Sequence, residues 1–504
     1  MIYSIAPSPL DANLVWAGTD DGLIHVTRDD GKTWQNVTPP SLTPWSKVGI
    51  IDAGHFDAGT AYAAIDRHRL EDYTPHILRT HDGGRTWQAI ITGLPDGDYI
   101  NVVREDPRRQ GLLYAGSELG IWISFDDGDH WQPLQLNLPH VSVRDIDVHG
   151  DDLVIATHGR AFWILDDITP LRQVSAQTAQ QPALLFKPQA ALRIRPGSDE
   201  GTPLPPEIPK APNPPAGAAI NYWLAQDSAS PVTLEVVDDA GKVARRYSSA
   251  DPVAQVDPRT LDIPMYWVHP AQPPAATRGM HRFMWDMRYA PPEGAGGGGR
   301  QGGGGRFGGG GVWAPPGDYT VRLTAGGQTY TQTLTLKADP RVKSSAADLN
   351  LQFDVATQLQ DLAGRANRAA RQADALKRAA QQAQPKLTDA AAKQALDAFV
   401  KQIDEIAGPP AANPFSGEPE TGEPERTTIR TLARMFAQLQ GAAQSADVAP
   451  TADVTEGMRA GAKDLDDLSA RWSALLSTDL PKLNDQLKAA GAEPIALPAG
   501  GGRQ

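Results

Sequence analysis

An eight-residue pattern recurs three times in the first third of the chain and strongly limits how this part can fold. The pattern is Ser or Thr, any residue, Asp, any residue, Gly, any two residues and Trp, and its copies start at Thr27, Thr80 and Ser124. These starts lie 53 and 44 residues apart. Such an interval is about the length of one four-stranded propeller blade. We therefore predict that residues 1–172 form successive blades of a β-propeller.

Each residue type that recurs in the three copies of the pattern has a structural role in a hairpin. The Gly permits a positive φ in a tight turn, and the Asp carboxylate can accept backbone N–H groups across that turn. The Trp returns on the next strand, where we expect it to pack in the core. The pattern therefore predicts structural rather than catalytic roles for its members. These residues are Asp29, Gly31, Trp34, Asp82, Gly84, Trp87, Asp126, Gly128 and Trp131.

A fourth pair of short strands, Asp145–Val148 and Leu153–Thr157, follows the third copy and continues to Leu165, but no further copy of the pattern follows it. We interpret it as a closing blade. The chain opens with Ile2–Ile5 already in the register of the repeat. Because an open blade presents unpaired edges and an apolar face, we expect a larger propeller. Either upstream blades or a second chain would complete it.

The rest of the chain divides by composition and periodicity. A Pro-rich linker is predicted for 173–217, and alternating apolar residues predict an immunoglobulin-like β-sandwich for 218–340. A Gly-rich insertion interrupts it at 294–311, and its matches to a nucleotide-binding glycine pattern lack the strand-to-helix context that such a site needs. Apolar residues spaced by three and four then predict a helical bundle for 345–495.

Composition excludes several classes of function. The formal net charge of −13 repels phosphate backbones, so we predict no nucleic-acid partner. The chain has no cysteine, which excludes disulfides and thiolate chemistry. No apolar run approaches the roughly 18 residues of a membrane span. We predict no cofactor and no metal site. The N-terminus lacks the features of a signal peptide, so the chain as written would be cytoplasmic.

Three features together resemble a known family. Besides the repeated pattern, they are Ala156–Arg160 (Ala-Thr-His-Gly-Arg) and the strand Gly279–Arg288. The chain resembles bacterial Asp-box (BNR-repeat) propeller proteins of the glycosyl hydrolase-like or sortilin-like kind, and within them the C-terminal part of a longer member. The resemblance implies paired propellers, a sandwich and a helical tail. It also implies that the full-length parent is periplasmic or secreted.

The resemblance directs attention to glycosidase residues. A sialidase would carry a Phe/Tyr-Arg-Ile-Pro string before its first blade, whereas the nearest string, Leu192–Pro196, follows the blades and has an extra Arg. A glycosidase with two carboxylates needs them across a cleft. The candidates Asp20, Asp21 and Glu118 are predicted in turns, where structural roles are favoured. His158 and Arg160, beside a turn of the closing blade, are candidate ligand contacts.

The chain has a regular propeller repeat but no recognisable set of catalytic residues. This combination favours a binding or scaffold role toward carbohydrate or protein. The alternative is a glycoside hydrolase, sialidase-like or xyloglucanase-like, with its catalytic residues on upstream blades. A second alternative is a sortilin-like, peptide-binding receptor. If the chain is an enzyme, we therefore expect a glycosidase, with catalytic residues that the sequence leaves unknown.

The Gly-rich insertion generates the first testable prediction. Gly294–Gly311 has almost no side chains to bury, and shortening a loop changes its closure entropy only slightly. Replacing it with a short Gly-Ser link should leave the melting temperature nearly unchanged in a calorimetric scan. A large decrease would show that Arg300, Arg306 or Phe307 makes stabilising contacts.

Overall fold

The computed structural model describes residues 1–195, 213–253, 270–291, 311–409 and 426–497, with short stretches between 195 and 270. Nearly all of the Gly-rich insertion lies outside these residues, as do 196–204 and four further positions up to 212 of the predicted Pro-rich linker. Two short strands, Ala183–Leu185 and Ala191–Arg193, lie within that predicted linker. The chain forms two compact units, Met1–Gln189 with Asn221–Ala225, and Ala190–Ile220 with Gln226–Gln504. The predicted order, a long β-rich part followed by a helical C-terminal part, is confirmed.

Four antiparallel sheets follow one another in the first unit, and in each the strands pair in chain order. The first strand of each sheet contacts the first strand of the next. We call this arrangement the sheet array. Its strands are β1 (Ile2–Pro7), β2 (Val15–Thr19), β3 (Ile24–Thr27) and β4 (Gln35–Asn36); β5 (Lys47–Ala53), β6 (Ala61–Asp66), β7 (Ile77–Thr80) and β8 (Gln88–Ala89); β9 (Ile100–Glu105), β10 (Leu113–Ser117), β11 (Ile121–Ser124) and β12 (Gln132–Pro133); and β13 (Val143–His149), β14 (Asp152–Thr157) and β15 (Phe162–Leu165).

The same β-bulge interrupts the first strand of every sheet in the array. One residue is skipped between Ile2 and Ser4, Val48 and Ile50, Ile100 and Val102, and Val143 and Asp145. A bulge adds a residue to one strand and turns the side chains that follow toward the other face. Because the bulge recurs at one position, residues of the four sheets can be matched one to one.

The core of the first unit lies between successive sheets. Three apolar clusters fill these spaces, each formed by one face of a sheet and the facing side of the next. The clusters contain Trp16 with Ile51, Tyr62 with Val103, and Tyr114 with Ile146. Both faces of an internal sheet are thus buried, which explains strands such as β6, where every residue is buried.

In the described residues after the sheet array, eight further strands form two more sheets. The three-stranded sheet has the order β16–β18–β21, and the five-stranded sheet has the order β17–β23–β22–β19–β20. β22 and β23 form a long hairpin whose turn residues, Gly326 and Gly327, both have positive φ, as a tight two-residue turn requires. The strands are β16 (Ala183–Leu185), β17 (Ala191–Arg193), β18 (Ala218–Leu224), β19 (Thr233–Val237), β20 (Val243–Ser248), β21 (Gly279–Trp285), β22 (Gly317–Ala325) and β23 (Gln328–Ala338).

Among the described residues of the C-terminal part, five α-helices share one apolar core. The first begins at a capping box in which the side chains of Ser345 and Asp348 bond to each other's backbone N–H groups. The helices are α1 (Ala346–Ala383), α2 (Ala390–Ala407), α3 (Ile429–Ala443), α4 (Ala452–Ala474) and α5 (Leu480–Ala489). Within the described residues, none of these helices has both the length and the apolar character for crossing a membrane.

A buried ion cluster joins β17 to the segment between α3 and α4. Arg193, only 1% exposed, donates from Nη2 to Asp447 Oδ1 at 2.6 Å and from Nη1 to the carbonyl of Ala314 at 2.9 Å. Arg195 donates from Nε to the same carboxylate oxygen at 2.5 Å. Both arginines belong to the string Leu192–Pro196, so this string has a structural role within the second unit.

Removing the shared carboxylate should destabilise the second unit. Asp447→Ala leaves the buried Arg193 without its partner, which typically costs about 3–5 kcal/mol. The matched control is Asp466→Ala, which breaks an exposed pair with Arg365 and should cost less than about 1 kcal/mol. Urea unfolding of both variants, followed by helical circular dichroism, measures the difference. Equal losses would contradict a structural role for the buried cluster.

Candidate functional site

The three repeated hairpins have the same internal bonds. The pattern's aspartates, Asp29, Asp82 and Asp126, each accept the backbone N–H of the residue four positions later at 2.9 Å. The hydroxyl of the Ser or Thr two residues earlier donates to the same carboxylate. The glycines Gly31, Gly84 and Gly128 have φ of 81°, 86° and 89°. The carboxylates are therefore occupied by the turns that they hold together.

Two of the three hairpin tryptophans pack on the preceding sheet. Trp87 donates from Nε1 to the carbonyl of Val37, and Trp131 donates to that of Ile90, both at 2.9 Å. Trp131 is buried, but Trp34, in the first sheet, is 46% exposed. The expectation that all three form core is therefore wrong for Trp34, because the described chain places no sheet before the first one.

The array has two edges with different loops. Successive strands run in opposite directions, so the loops between second and third strands lie at the edge where the first strands start. We call it the start edge. The predicted candidates are all there: Asp20 and Asp21 in the first sheet, Glu118 in the third, and His158 and Arg160 in the fourth. The structure places them along one edge but on three different sheets.

A connected set of polar side chains follows the start edge across three sheets. Asp66 bonds to Lys47 Nζ at 3.4 Å and to His68 Nδ1 at 2.5 Å. The His68 ring stacks on Tyr99, with centroids 4.9 Å apart. Burial, and then a hydrogen bond with Glu118, raise the pKa of Tyr99 to about 12. We call these residues, with Ser142 and Arg144, the polar row.

Glu118 forms the end of the polar row. Its Oε2 accepts the hydroxyl of Ser142 at 2.6 Å and lies 3.3 Å from Arg144 Nη2. Burial alone would raise the pKa of the Glu118 carboxyl, but the hydrogen bonds from Ser142 and Tyr99 outweigh it and lower the pKa. Asp66 behaves alike, because bonds from His68 outweigh its burial. Both carboxylates are thus ionised near neutral pH, unlike a general acid.

Two of the predicted contacts border this row. The backbone N–H of His158 donates to the carbonyl of Ser142 at 2.8 Å, and the His158 side chain is exposed. Arg160 lies in the same exposed hairpin, where its carbonyl accepts from Trp163 Nε1. Of the predicted carboxylates, Glu118 belongs to the row, whereas Asp21 lies in the first sheet, outside it. A hydrogen bond from Thr19 lowers the pKa of Asp21.

Exposed aromatic rings at the same edge were missed by sequence reasoning. Trp45 is largely exposed and has a φ of 68°, which is rare for so large a residue. Its backbone N–H donates to the carbonyl of Asp21 at 2.8 Å, which holds this conformation. Tyr73 is also exposed, with its ring 6.3 Å from that of Tyr99. Lys47 Nζ lies 4.1 Å above the ring of Tyr3. The sequence signal for Trp45 and Tyr73 is an aromatic residue within a polar loop.

A cavity of about 320 Å³ lies at the opposite edge, between the second and third sheets. Its lining includes Tyr62, His81 and Asp127. Asp127 accepts from Tyr62 at 2.5 Å and from Arg79 at 2.9 Å, and it bonds to His81 at 2.9 Å. Burial is the main reason why the pKa of Tyr62 is raised, so its hydroxyl stays a neutral donor. These contacts occupy both carboxylate oxygens and favour a structural role for Asp127.

Comparisons with known proteins show distant structural likeness only. No family model and no curated protein matches the chain. Solved structures with some likeness are YCF48 bound to a D1 peptide (19% identity, TM-score 0.27) and GH74 enzymes from Niastella koreensis (17%, 0.27) and Xanthomonas campestris, the latter a xyloglucanase (18%, 0.26).

These alignments are partial on both sides. They cover 33%, 31% and 51% of this chain, and 51%, 26% and 38% of the YCF48, Niastella and Xanthomonas chains, respectively. This chain thus spans about half or less of each of those proteins. At such low TM-scores, the likeness assigns neither an activity nor a ligand to this chain.

The positions of the hairpin tryptophans predict unequal stability effects. Trp131→Ala removes a buried ring and its hydrogen bond, and large-to-small core changes of this kind cost about 3–5 kcal/mol. Trp34→Ala should cost less than about 1 kcal/mol, because an exposed ring loses few contacts. Denaturant unfolding at low protein concentration compares the two variants. A loss for Trp34→Ala as large as for Trp131→Ala would contradict this packing.

Proposed function

We propose that this chain is a non-catalytic binding protein whose start edge recognises carbohydrate. The observation that carries the proposal is the polar row together with the exposed rings of Trp45 and Tyr73 at the same edge. Binding sites commonly combine aromatic surface with a few placed polar groups. Ring faces can pack against the C–H face of a sugar, while hydroxyls bond to carboxylates and hydroxyl-bearing side chains.

The hydrogen bonds that neighbouring side chains donate to the two carboxylates of the polar row favour binding over catalysis. A glycosidase needs one carboxyl group with a raised pKa as acid and a second carboxylate as base or nucleophile. Asp66 and Glu118 both have lowered pKa values and are held by neighbouring donors. Such paired carboxylates are fixed acceptors. They suit the recognition of hydroxyl groups, and His158 and Arg160 in the next loop can add further contacts.

The proposal includes a finer description of the chain. We infer a partial β-propeller of the Asp-box kind, because four sheets with one strand order and one bulge pack through their first strands. We further propose an immunoglobulin-like sandwich and a helical bundle after it. By its resemblance to exported Asp-box proteins, the parent protein is proposed to be periplasmic or secreted.

Two other functions stay as alternatives. The first is a glycoside hydrolase, sialidase-like or xyloglucanase-like, with its catalytic carboxylates on further blades. It predicts the release of sugar from a polysaccharide. The second is a sortilin-like receptor, which predicts tight binding of peptides and no binding of sugars. Peptide binding can be measured on the same protein sample as the carbohydrate proposal, whereas the hydrolase alternative needs a longer protein that includes the further blades.

Tyr73→Ala tests the proposed carbohydrate edge. Removing one stacking ring should weaken binding of a soluble polysaccharide about tenfold, because such a ring contributes roughly 1 kcal/mol or slightly more. Affinity electrophoresis against a panel of plant and bacterial polysaccharides measures the shift, and Trp45→Ala should have a similar effect. Phe56→Ala is the matched control, since this exposed aromatic residue lies at the opposite edge.

Three results would contradict the carbohydrate proposal. Binding that depends on Phe56 and not on Tyr73 would place the ligand in the cavity. Peptide binding without any polysaccharide binding would favour the receptor. Released sugar that disappears when Glu118 or Asp66 is replaced by its amide would make the row catalytic.

A further inference from the structure

We propose that the carbohydrate recognised at the start edge carries acetamido groups, and that Leu119 and Leu136 hold the methyl group of one of them. The proposal rests on the proposed function and names the class of sugar. The observation that carries it is two exposed leucines on touching loops beside the carboxylate of Glu118. The three residues lie in the third sheet and in the loop that leads from it to the fourth.

Leu119 lies in the tight turn between β10 and β11, directly after Glu118. The turn is closed at Ser117, whose backbone N–H donates to the carbonyl of Gly120 at 2.9 Å and whose hydroxyl accepts the Gly120 N–H at 3.1 Å. The backbone N–H of Leu119 donates to Asp98 Oδ1 at 2.8 Å. These bonds fix the turn with the Leu119 side chain 53% exposed. The turn therefore presents an apolar side chain next to the end of the polar row.

Leu136 lies in the loop between β12 and β13. Leu134 and Leu138 of the same loop pack in the apolar cluster between the third and fourth sheets, whereas Leu136 is 69% exposed. Its φ of 43° is in the left-handed region, which is unfavourable for a large side chain. Glycine would adopt this conformation without strain. The loop thus holds a large apolar residue toward solvent at a position where a glycine would fit more easily.

The loops that join one sheet to the next differ at such positions. The loop between the second and third sheets has positive φ at Gly93 and Gly97, whereas the loops before and after it have positive φ at Trp45 and Leu136. Trp45 is 66% exposed and already belongs to the proposed carbohydrate edge. Backbone strain at exposed positions is typical of ligand-binding segments. Leu136 has the same strain and exposure as a ring that we assign to sugar binding.

Contacts between the turn and the loop place the two leucines on one patch. A methyl group added at Gly120 would lie 2.2 Å from Oε1 of Gln135, so the Gln135 side chain lies against the turn. The ring Nδ1 of His140 bonds to the carbonyl of Leu119 at 3.2 Å. Because Leu136 lies between Gln135 and His140, it follows the turn that carries Leu119. We call Leu119 and Leu136 the leucine pair.

The polar groups beside the leucine pair suit an amide. Glu118, whose side chain is 33% exposed, lies 3.3 Å from Nη2 of Arg144, so an acceptor and a donor are adjacent. Arg144 also donates from Nη1 to Asn101 Oδ1 at 3.1 Å, and these two contacts use two of the five N–H groups of its guanidinium. An acetamido group has an N–H for a carboxylate, a carbonyl for a guanidinium and a methyl group for apolar side chains.

Other substituents use only part of this patch. A hydroxyl group in place of the acetamido group would leave the leucine pair in contact with water. A free amino group would place a positive charge beside Arg144 and against apolar side chains, which is unfavourable. The combination of an apolar pair with an adjacent donor and acceptor therefore favours the uncharged, acetylated sugar.

Isothermal titration calorimetry of the full chain with three trisaccharides tests the proposal. They are N,N′,N″-triacetylchitotriose, chitotriose with its free amino groups, and cellotriose with hydroxyls in their place. We expect the acetylated sugar to bind at least about tenfold more tightly than the other two, because a buried methyl group and one hydrogen bond together contribute about this factor. Equal affinities, or no binding of the acetylated sugar, would overturn the proposal.

Leu136→Asn tests the leucine pair itself. Asparagine tolerates a positive φ better than leucine, so the loop should keep its conformation. The affinity for triacetylchitotriose should decrease about fivefold, while that for cellotriose stays unchanged. Leu119→Asn should have a similar effect, and Leu10→Asn is the matched control, because this exposed leucine lies at the opposite edge. An equal decrease for both sugars would overturn the assignment of the leucines to the acetyl group.

Co-sedimentation with chitin particles and with purified bacterial sacculi distinguishes two polymers that carry acetamido sugars. Binding to either one that is reduced in Leu136→Asn and in Tyr73→Ala supports the proposal. Polysaccharide binding that depends on Tyr73 but shows no preference for acetamido sugars overturns this inference alone. The absence of binding to every polysaccharide overturns the proposed function as well.

Discussion

The contact between successive sheets is the constraint on which the first unit depends. A large apolar residue near the start of the first strand of one sheet packs over a small residue in the second strand of the preceding sheet, as Val48 does on Gly18. Each sheet thus completes its core only with a neighbour on both sides. The apolar interior is divided into three layers instead of one centre, and the bulge that turns these side chains inward is present in all four sheets.

This packing leaves the two edges of the array to loops. One edge is held by the repeated hairpins, in which Asp29, Asp82 and Asp126 are each used by their own turn. At the other edge, loops of neighbouring sheets are brought close enough for side chains from three sheets to bond, from Lys47 to Arg144. The two edges therefore use the same residue type differently. Asp29, Asp82 and Asp126 stabilise their own turns at one edge, whereas Asp66 belongs to the polar row at the other.

Several features could be predicted from local sequence. The hairpins follow from the placement of Asp and Gly, and the helices follow from apolar spacing, as at Leu359 and Leu376 in α1. Arg193 could not be recognised as a structural residue, because its partner Asp447 lies 254 positions away in the sequence. Trp34 was expected in the core because its pattern matches Trp131, although the pattern cannot show which sheet covers the ring.

The sequence by itself determined the local units: strand pairs, tight turns and amphipathic helices, whose signals lie within a few residues of one another. Tertiary structure alone decided which faces are covered and which side chains meet. Ile5 and Ile51 are the same residue type at the same point of the repeat, yet one is exposed and the other is buried. Likewise, His68 and Tyr99 stack only because two sheets lie side by side. Burial and long-range pairing depend on neighbours that are distant in the chain, and no local pattern encodes them.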